Sequence, residues 1–263
     1  MTAAEYMVEL LLDGPVRLDE AELRAALRER VGGVEVVDAG ERIWVHVAGV
    51  RAPRRGVDAP YGVVIEACRA RESDDELEAA LAQTWDWPEA RATVERCAAV
   101  MRVRDRFAGE LEAARRLDAF HRVVDAVAAC AGARAVHWRP SARVIDARAI
   151  VRRFAAYGPL GAALNVRQFR VGEGMLLDTV GLAALGLPDV ECRFAGVPPE
   201  RVAALVGGCA EYLVRHGDVI RDGETLDRTA ERWTCRRAEA MVGPRRTVLA
   251  VEPRRTRRAR SAV

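Results

Sequence analysis

The chain has 263 residues, of which 41 are basic and 39 acidic, so its formal net charge at pH 7 is +2. This length suits one large domain or two small ones, and a hydrophobic fraction of 50% is enough for a sizeable buried core. The balanced charge does not indicate a nucleic-acid or membrane partner, and the composition excludes collagen-like, coiled-coil and disordered proteins. Arg supplies all of the Lys and Arg count, which excludes Schiff-base, P-loop and general-base chemistry that depends on lysine.

The first half of the chain predicts strands and helices in alternation. Capping boxes at residues 19–22 and 73–76 predict helices that run to about residue 30 and to Trp85. Pro88 predicts a short helix to about residue 96, and the longest helix is predicted over 107–131. A loop rich in Arg, Pro and Gly is predicted over 51–60. The predicted strands are 6–12, 34–37, 43–50, 61–68, 97–103 and 133–138.

The second half predicts a hairpin followed by a strand, a long helix and two closing strands. Strands 164–171 and 175–180 flank Gly172-Glu173-Gly174, which is typical of a hairpin turn. Because strands and helices are interleaved irregularly, we expect an α+β fold with mixed or antiparallel sheets. The other predicted elements are a helix over 146–156, a strand over 190–194, a helix over 198–216, a turn-rich loop over 217–225, and strands over 233–241 and 246–251.

A soft boundary near residues 139–147 divides the chain into an N-terminal half, 1–140, and a C-terminal half, 141–253. Each half has strands and at least two helices, so two similar α+β halves are one possible organisation. Residues 254–263 contain five Arg and no acid. We expect this tail to be disordered, with weak nucleic-acid binding as the less favoured interpretation.

The location of the protein is predicted from what its sequence lacks. No apolar segment is long enough to span a bilayer, and Glu5 and Glu9 stand where a signal peptide would carry basic residues. The cysteines form no CxxC pair and lie in apolar or strand-like stretches, so we expect reduced core cysteines and a cytoplasmic protein. They are Cys68, Cys97, Cys130, Cys192, Cys209 and Cys235.

Local motifs for cofactor and metal chemistry are absent from the sequence. There is no dinucleotide-binding glycine motif, P-loop, nucleophile elbow or HExxH zinc helix. The four histidines are scattered, without a pair or a cluster at zinc spacing. We therefore expect no cofactor and no metal, and we favour none of the histidines as catalytic. They are His46, His121, His137 and His216.

The densest group of candidate residues spans the predicted hairpin and the closing strands. Arg167, Asp178 and Asp189 would suit an anion-binding or acid–base site, but a buried structural ion pair explains them better. Glu239 and Arg246 are candidates for a cross-strand ion pair. Asn165 shares one strand face with Arg167. The candidate cluster is Asn165, Arg167, Asp178, Asp189, Glu239 and Arg246.

Three tryptophans are candidates for contact with a partner. Trp85 and Trp87 bracket Asp86 just before Pro88, and Trp233 lies in a predicted strand. Exposed tryptophans stack on ligands or anchor interfaces. Such residues more often have a structural role, in which one of the first two packs in the core and the other lies at a helix junction.

Five groups of residues follow one another along the chain: QTWDW at 83–87, NVRxF at 165–169, DTxGLAALGLPD at 178–189, GDVIxDGxT at 217–225, and Trp233, Cys235 and Glu239. This ordered series resembles the bacterial family named domain of unknown function 4261 (DUF4261). The resemblance extends from about residue 7 to residue 253 and is densest from Asn165 onward. It implies a cytoplasmic bacterial protein and assigns no catalytic residue, because the family has no settled activity.

These observations favour a non-enzymatic protein that binds another protein, such as a toxin-neutralising, adaptor or chaperone-like factor. The alternative is an enzyme of hydrolytic type, in which Arg167, Asp178, Asp189 and Glu239 would converge in one cleft. We expect no membrane partner, and nucleic acid only as a weak ligand of the Arg-rich tail.

Overall fold

The computed structural model describes residues 6–54, 57–106, 108, 111–228 and 231–253. Its α-helices are α1 (Glu20–Arg30), α2 (Asp75–Ala82), α3 (Ala90–Glu95), α4 (Ala113–Ala131), α5 (Ile150–Tyr157), α6 (Leu160–Ala163) and α7 (Pro199–His216). Its strands are β1 (Met7–Leu12), β2 (Val34–Asp38), β3 (Arg42–Arg54), β4 (Val57–Glu66), β5 (Arg69–Ala70), β6 (Ala99–Arg106), β7 (Ala135–Trp138), β8 (Arg143–Asp146), β9 (Asn165–Val171), β10 (Gly174–Val180), β11 (Asp189–Phe194), β12 (Thr225–Arg228), β13 (Glu231–Glu239) and β14 (Thr247–Pro253). These strands form two mostly antiparallel sheets, which confirms the predicted α+β fold.

The described residues divide into two compact units. The first contains the chain up to Asn165 together with Val180–Leu187, and the second contains Val166–Thr179 and the chain from Pro188 onward. These units are defined by their internal contacts and not by independent folding. The division into domains 1–140 and 141–253 therefore stays a prediction. The predicted disorder of the tail concerns 254–263, which lie outside the described residues.

The first unit is a sheet with helices on both faces. Its strand order is β2-β3-β4-β6-β1-β7-β8, β5 pairs with β6, and all described strand pairs in it are antiparallel. Successive side chains of β1 point to opposite faces. Leu11 packs with residues of α2 and α3, whereas Tyr6 meets Phe120 of α4 on the other face, with the ring centroids 5.4 Å apart. Burial on both faces explains why the strand is almost wholly apolar.

The second unit is a sheet of order β12-β13-β14-β11-β10-β9, against which α7 packs through β11. Strands β11 and β14 are parallel, and the other pairs with a described register are antiparallel. The predicted hairpin is confirmed: β9 and β10 are neighbours joined at Gly172, whose φ of 60° lies in the region that glycine favours. The parallel pair arises because α7, β12 and β13 separate its two strands along the chain.

Several predicted elements are wrong in type or extent, among them the helix predicted over 107–131, which begins at Ala113. The described residues of the predicted loop 51–60 are strand, with β3 reaching Arg54, β4 starting at Val57, and an irregular register between His46 and Arg51. The helix predicted from residue 146 is preceded by β8, which pairs with β7. Helix α2 ends at Ala82, so Trp85 lies beyond it. In each case local composition indicated a loop or helix, whereas pairing with a distant strand or a cap decided the structure.

None of the helices in the described part of the chain combines the length and apolarity that crossing a bilayer requires.

Candidate functional site

Four of the predicted site residues form one buried network, here called the Arg–Asp network: Arg167, Asp178, Asp189 and Arg246. Arg167 lies on β9, Asp178 lies on the adjacent strand β10, and Asp189 begins β11. Arg246 immediately precedes β14, which pairs with β11. The strand order therefore brings together residues that are up to 79 positions apart, from Arg167 to Arg246.

The two arginines bind the two carboxylates with charge-assisted hydrogen bonds. Arg167 donates from Nε to Asp178 Oδ1 at 3.0 Å and from Nη2 to Oδ2 at 2.5 Å. Arg246 Nη2 donates to the same Asp178 Oδ2 at 2.6 Å, and its Nε donates to Asp189 Oδ2 at 3.1 Å. The network thus contains two positive and two negative charges, with Arg246 bridging both carboxylates.

Thr179 and Arg246 add further hydrogen bonds to the network. The Thr179 hydroxyl donates to Asp189 Oδ1 at 3.0 Å and accepts from the backbone of Val190 at 2.8 Å. Arg246 donates further to the carbonyl of Thr179 at 2.9 Å. Each carboxylate oxygen of Asp178 and Asp189 accepts at least one hydrogen bond, and both residues are fully buried. Such a closed network suits a structural role better than proton exchange with a substrate.

The other predicted members of the cluster lie outside the network. Asn165 is buried and donates to the carbonyl of Ala142 at 3.2 Å. The predicted pair of Glu239 with Arg246 is wrong: Glu239 is 70% exposed at its side chain and accepts from Arg245 at 3.0 Å. Arg246 points inward because two buried carboxylates attract it more strongly than one exposed glutamate.

Glu191 borders the network and was not among the predicted site residues. It lies opposite Asp178 in the β10–β11 register and is almost fully buried. Its carboxylate accepts from the backbone of Met241 at 2.9 Å. Burial, together with the negative charge of Asp178, raises the pKa of Glu191 above its ordinary value.

A second charged cluster, centred on Glu9, lies in the first unit. Glu9 on β1 accepts from Arg102 at 2.9 Å and from Arg139 at 3.0 Å, and His137 Nδ1 lies 3.3 Å from its Oε2. Burial opposes ionisation, but the hydrogen bonds from His137 and Arg102 and the charge of Arg139 lower the pKa of Glu9 to about 2. The carboxylate is therefore a permanent negative charge at neutral pH.

The Glu9 cluster has donor atoms of the kind that bind metals, and an arginine already binds two of these groups. Ligand atoms of Glu9, Asp74 and His137 lie within 4.8 Å of one another. Arg139 Nη1 donates both to Glu9 Oε2 at 3.0 Å and to Asp74 Oδ2 at 2.6 Å. A guanidinium thus supplies the positive charge that a cation would bring, and a metal would have to displace it.

The tryptophans lie in three different environments. Trp233 is buried, and Trp87 is half-buried against the core formed by α2, α3 and the first sheet. Trp85 is 81% exposed. An aromatic ring of this size normally loses most of its accessible surface on folding, so Trp85 is the residue whose exposure calls for an explanation.

The residue after Trp85 is fixed by two arginines. Asp86 Oδ2 accepts from Arg143 Nη2 at 2.7 Å and also from Arg153 Nη2 of α5. Burial and the nearby charge of Arg153 lower the pKa of Arg143, and this fall is countered by Asp86 and Tyr157. We call these residues, Trp85, Asp86, Arg143, Arg153 and Tyr157, the Trp85 surface.

The buried cysteines are unsuited to nucleophilic chemistry. All six are free thiols, and burial raises the pKa of Cys192 to about 12 and of Cys235 to about 11. A thiol at such a pKa carries almost no thiolate at neutral pH, and thiolate is the reactive form.

Residues 178–252 match the family model described as "Domain of unknown function (DUF4261)". The predicted resemblance to this family is therefore confirmed over that range. The motifs at 83–87 and 165–169, and with them Trp85, lie outside the matched segment, and their part in the resemblance stays a prediction. No curated protein and no solved structure matches the chain.

Proposed function

We propose, for a chain whose residues 178–252 match a family without an assigned activity, that its function is to bind another protein, and that the Trp85 surface is its contact site. The observation that carries the proposal is the 81% exposure of Trp85. Tryptophan, tyrosine and arginine dominate the energetic centres of protein interfaces, and the Trp85 surface contains all three.

The position of Trp85 is favourable for binding because its neighbours are held in place. Asp86 is bonded to two arginines, and Trp87 packs against the core of the first unit. A contact residue that is followed directly by two fixed residues loses little backbone freedom when a partner binds. The surface is therefore organised before binding.

The proposed role is that of a cytoplasmic bacterial interaction factor of the toxin-neutralising, adaptor or chaperone-like kind. The free cysteines support a reducing compartment. The closed Arg–Asp network supports a binding function over the hydrolytic alternative, because Glu239 lies apart from Arg167, Asp178 and Asp189.

Photo-crosslinking in the native host tests the proposal. The photoreactive residue p-benzoylphenylalanine replaces Trp85 in the full chain, and Tyr212 in the matched control, since Tyr212 is an exposed aromatic residue of α7 in the other unit. We expect one protein to crosslink at position 85 and not at position 212. The purified partner should then bind the Trp85→Ala variant at least about tenfold more weakly, and the Tyr212→Ala variant with unchanged affinity.

Two results would overturn the proposed function. One is crosslinking of the same proteins at both positions, which would indicate non-specific contact. The other is a partner whose affinity is unchanged by Trp85→Ala, which would place the contact elsewhere on the chain.

A further inference from the structure

We infer that the segment bound at the Trp85 surface is an acidic peptide, with carboxylates that bind the arginines and an apolar side chain that packs on the aromatic rings. This inference rests on the proposed function and specifies the chemistry of the partner. It is carried by the charge, the free donors and the exposed rings of the Trp85 surface.

The charge of the surface is unbalanced. Arg143 and Arg153 both bind one oxygen of a single carboxylate, Asp86. The mutual repulsion of the two guanidinium groups is part of what lowers the pKa of Arg143. In the ion pairs between these described residues, one carboxylate therefore faces two guanidinium groups, and an incoming carboxylate would add the second negative charge.

Arg153 has donors to offer a ligand. A guanidinium carries five N–H donors, and within the described residues Arg153 uses its Nη2 to bind Asp86. Its side chain keeps 19% of its accessible surface. Arg143, in contrast, also donates to the carbonyl of Leu164 at 2.9 Å, so it is the more firmly held of the two. Arg153 is therefore the residue that would bind a partner carboxylate in a bidentate manner.

The region of α5 contributes further positive charge and an exposed aromatic ring. Arg148 and Arg152 are exposed just before and within α5, the helix that carries Arg153. Tyr157, one helical turn after Arg153, is 69% exposed. Arginines beside exposed aromatic rings suit a peptide that combines acidic and apolar side chains.

A nucleic acid would satisfy the same aromatic and basic groups less well. Phosphates repeat along a strand and need an extended basic groove, whereas the positive charge here comes from four arginines within residues 143–153, two of which share Asp86. The chain as a whole is nearly neutral, at +2. An acidic peptide is therefore the better match.

Fluorescence anisotropy with a defined probe tests the inference on the full chain. The probe is a fluorescein-labelled peptide of repeated Glu-Glu-Leu triplets, and the control peptide has Gln in place of Glu. We expect the acidic peptide to bind at least about tenfold more tightly than the Gln peptide and to weaken with added salt. A single-stranded oligonucleotide of equal charge should compete poorly.

Variants locate the binding site. Arg153→Gln and Trp85→Ala should each weaken binding of the acidic peptide about tenfold, and Arg153→Lys should restore part of the loss. Arg170→Gln, a change at an exposed arginine of β9, should leave binding unchanged. Urea-unfolding curves of the variants show whether any loss of binding comes from misfolding. The affinity of Arg153→Lys for the acidic peptide tests the same position in a variant that keeps the positive charge.

The outcomes separate this inference from the proposed function. Equal binding of the two peptides, tighter binding of the oligonucleotide, or no effect of Arg153→Gln would overturn the acidic-peptide inference. If crosslinking at position 85 still identifies a partner in that case, the proposed function stands with a different kind of ligand. If neither assay shows Trp85-dependent binding, both fail.

Discussion

Asp178 binds two arginines at once, so its removal should strongly destabilise the second unit. It is fully buried and accepts from Arg167 and Arg246. Asp178→Ala would leave both guanidinium groups without that carboxylate in a buried site. We expect the free energy of unfolding to fall by about 3–5 kcal/mol, as for other broken buried ion pairs.

Urea unfolding of Asp178→Ala and of Glu239→Ala checks this prediction. Glu239 forms an exposed ion pair with Arg245, so its removal should cost no more than about 0.5 kcal/mol. Similar losses for the two variants would contradict the structural role of the Arg–Asp network.

His121 is predicted to make stability depend on pH in the mildly acidic range. Its ring is buried 4.4 Å from that of Trp138, and burial lowers its pKa from 6.5 to about 3. Between these values the unfolded chain binds a proton that the folded protein does not. The contribution of His121 to the free energy of unfolding is therefore highest above pH 6.5. As the pH falls from 6.5 toward 3, protonation of His121 in the unfolded chain lowers the free energy of unfolding by about 1.4 kcal/mol per pH unit.

The slope of unfolding free energy against pH, measured between pH 6.5 and 4.5, tests this effect. His121→Leu should flatten the slope, because Leu does not titrate. His216→Gln changes an exposed histidine at the end of α7 and should leave the slope as it is. An unchanged slope in His121→Leu would contradict the prediction.

Replacing a glycine by alanine should have opposite effects on stability at two positions in the elements of this fold. Gly181 follows β10 with φ at 134°, and a Cβ there would collide with the carbonyl of Ala163 and lie 3.2 Å from Ser141 Cβ. Gly207 lies within α7, with nothing within 4 Å of an added Cβ. Gly181→Ala should cost at least about 1–3 kcal/mol, and Gly207→Ala should stabilise by about 0.5–1 kcal/mol.

The midpoint temperatures of thermal unfolding of Gly181→Ala and Gly207→Ala test both expectations. A stabilising Gly181→Ala would mean that the turn after β10 can move away from Ala163. A destabilising Gly207→Ala would mean that the helix requires flexibility at that point.

The elements that the sequence predicts correctly are those specified by nearby residues. The β9–β10 hairpin follows from the glycines around Glu173, and α1 from the Asp19 side chain that caps it. Strand β8 has four residues and is defined by its pairing with β7, which no local pattern reveals. The β3–β4 hairpin contains Pro53 and Pro60, which indicate a loop when pairing is unknown.

The candidate sites follow the same division. Arg167, Asp178 and Asp189 were predictable as a group because a short hairpin and the next strand carry them. The partners of Arg246 were not predictable, because Glu239 is the nearer acid in sequence but its side chain is exposed. The Glu9 cluster was missed, although a charged residue amid the apolar residues of a predicted strand signals a buried partner.

For the whole molecule, the boundary predicted from the sequence, at residue 140, and the compact first unit, whose last residue is Leu187, predict different stable fragments. A fragment ending at residue 140 lacks β8 and α5, so β7 loses a neighbour and buried Ile145 and Ile150 are removed. A fragment ending at residue 187 keeps the whole first unit. We expect cooperative thermal unfolding, followed by circular dichroism, from fragment 1–187 and not from fragment 1–140.

Cooperative unfolding of fragment 1–140 would instead support the boundary predicted from the sequence, with the residues of β8 contributing little to the first sheet. A fragment 1–187 that unfolds without a transition would show that the first unit depends on residues beyond it.

The parallel pairing of β11 with β14 has a consequence for biosynthesis. Strand β14 follows β9–β13 along the chain but lies in the middle of their sheet, between β13 and β11. During translation, the hairpin and β11 therefore leave the ribosome with an open edge and with Asp178 and Asp189 still lacking Arg246. The first unit can begin to fold while synthesis continues. The second must wait for β14, and the nascent chain is most open to chaperones and proteases during that interval.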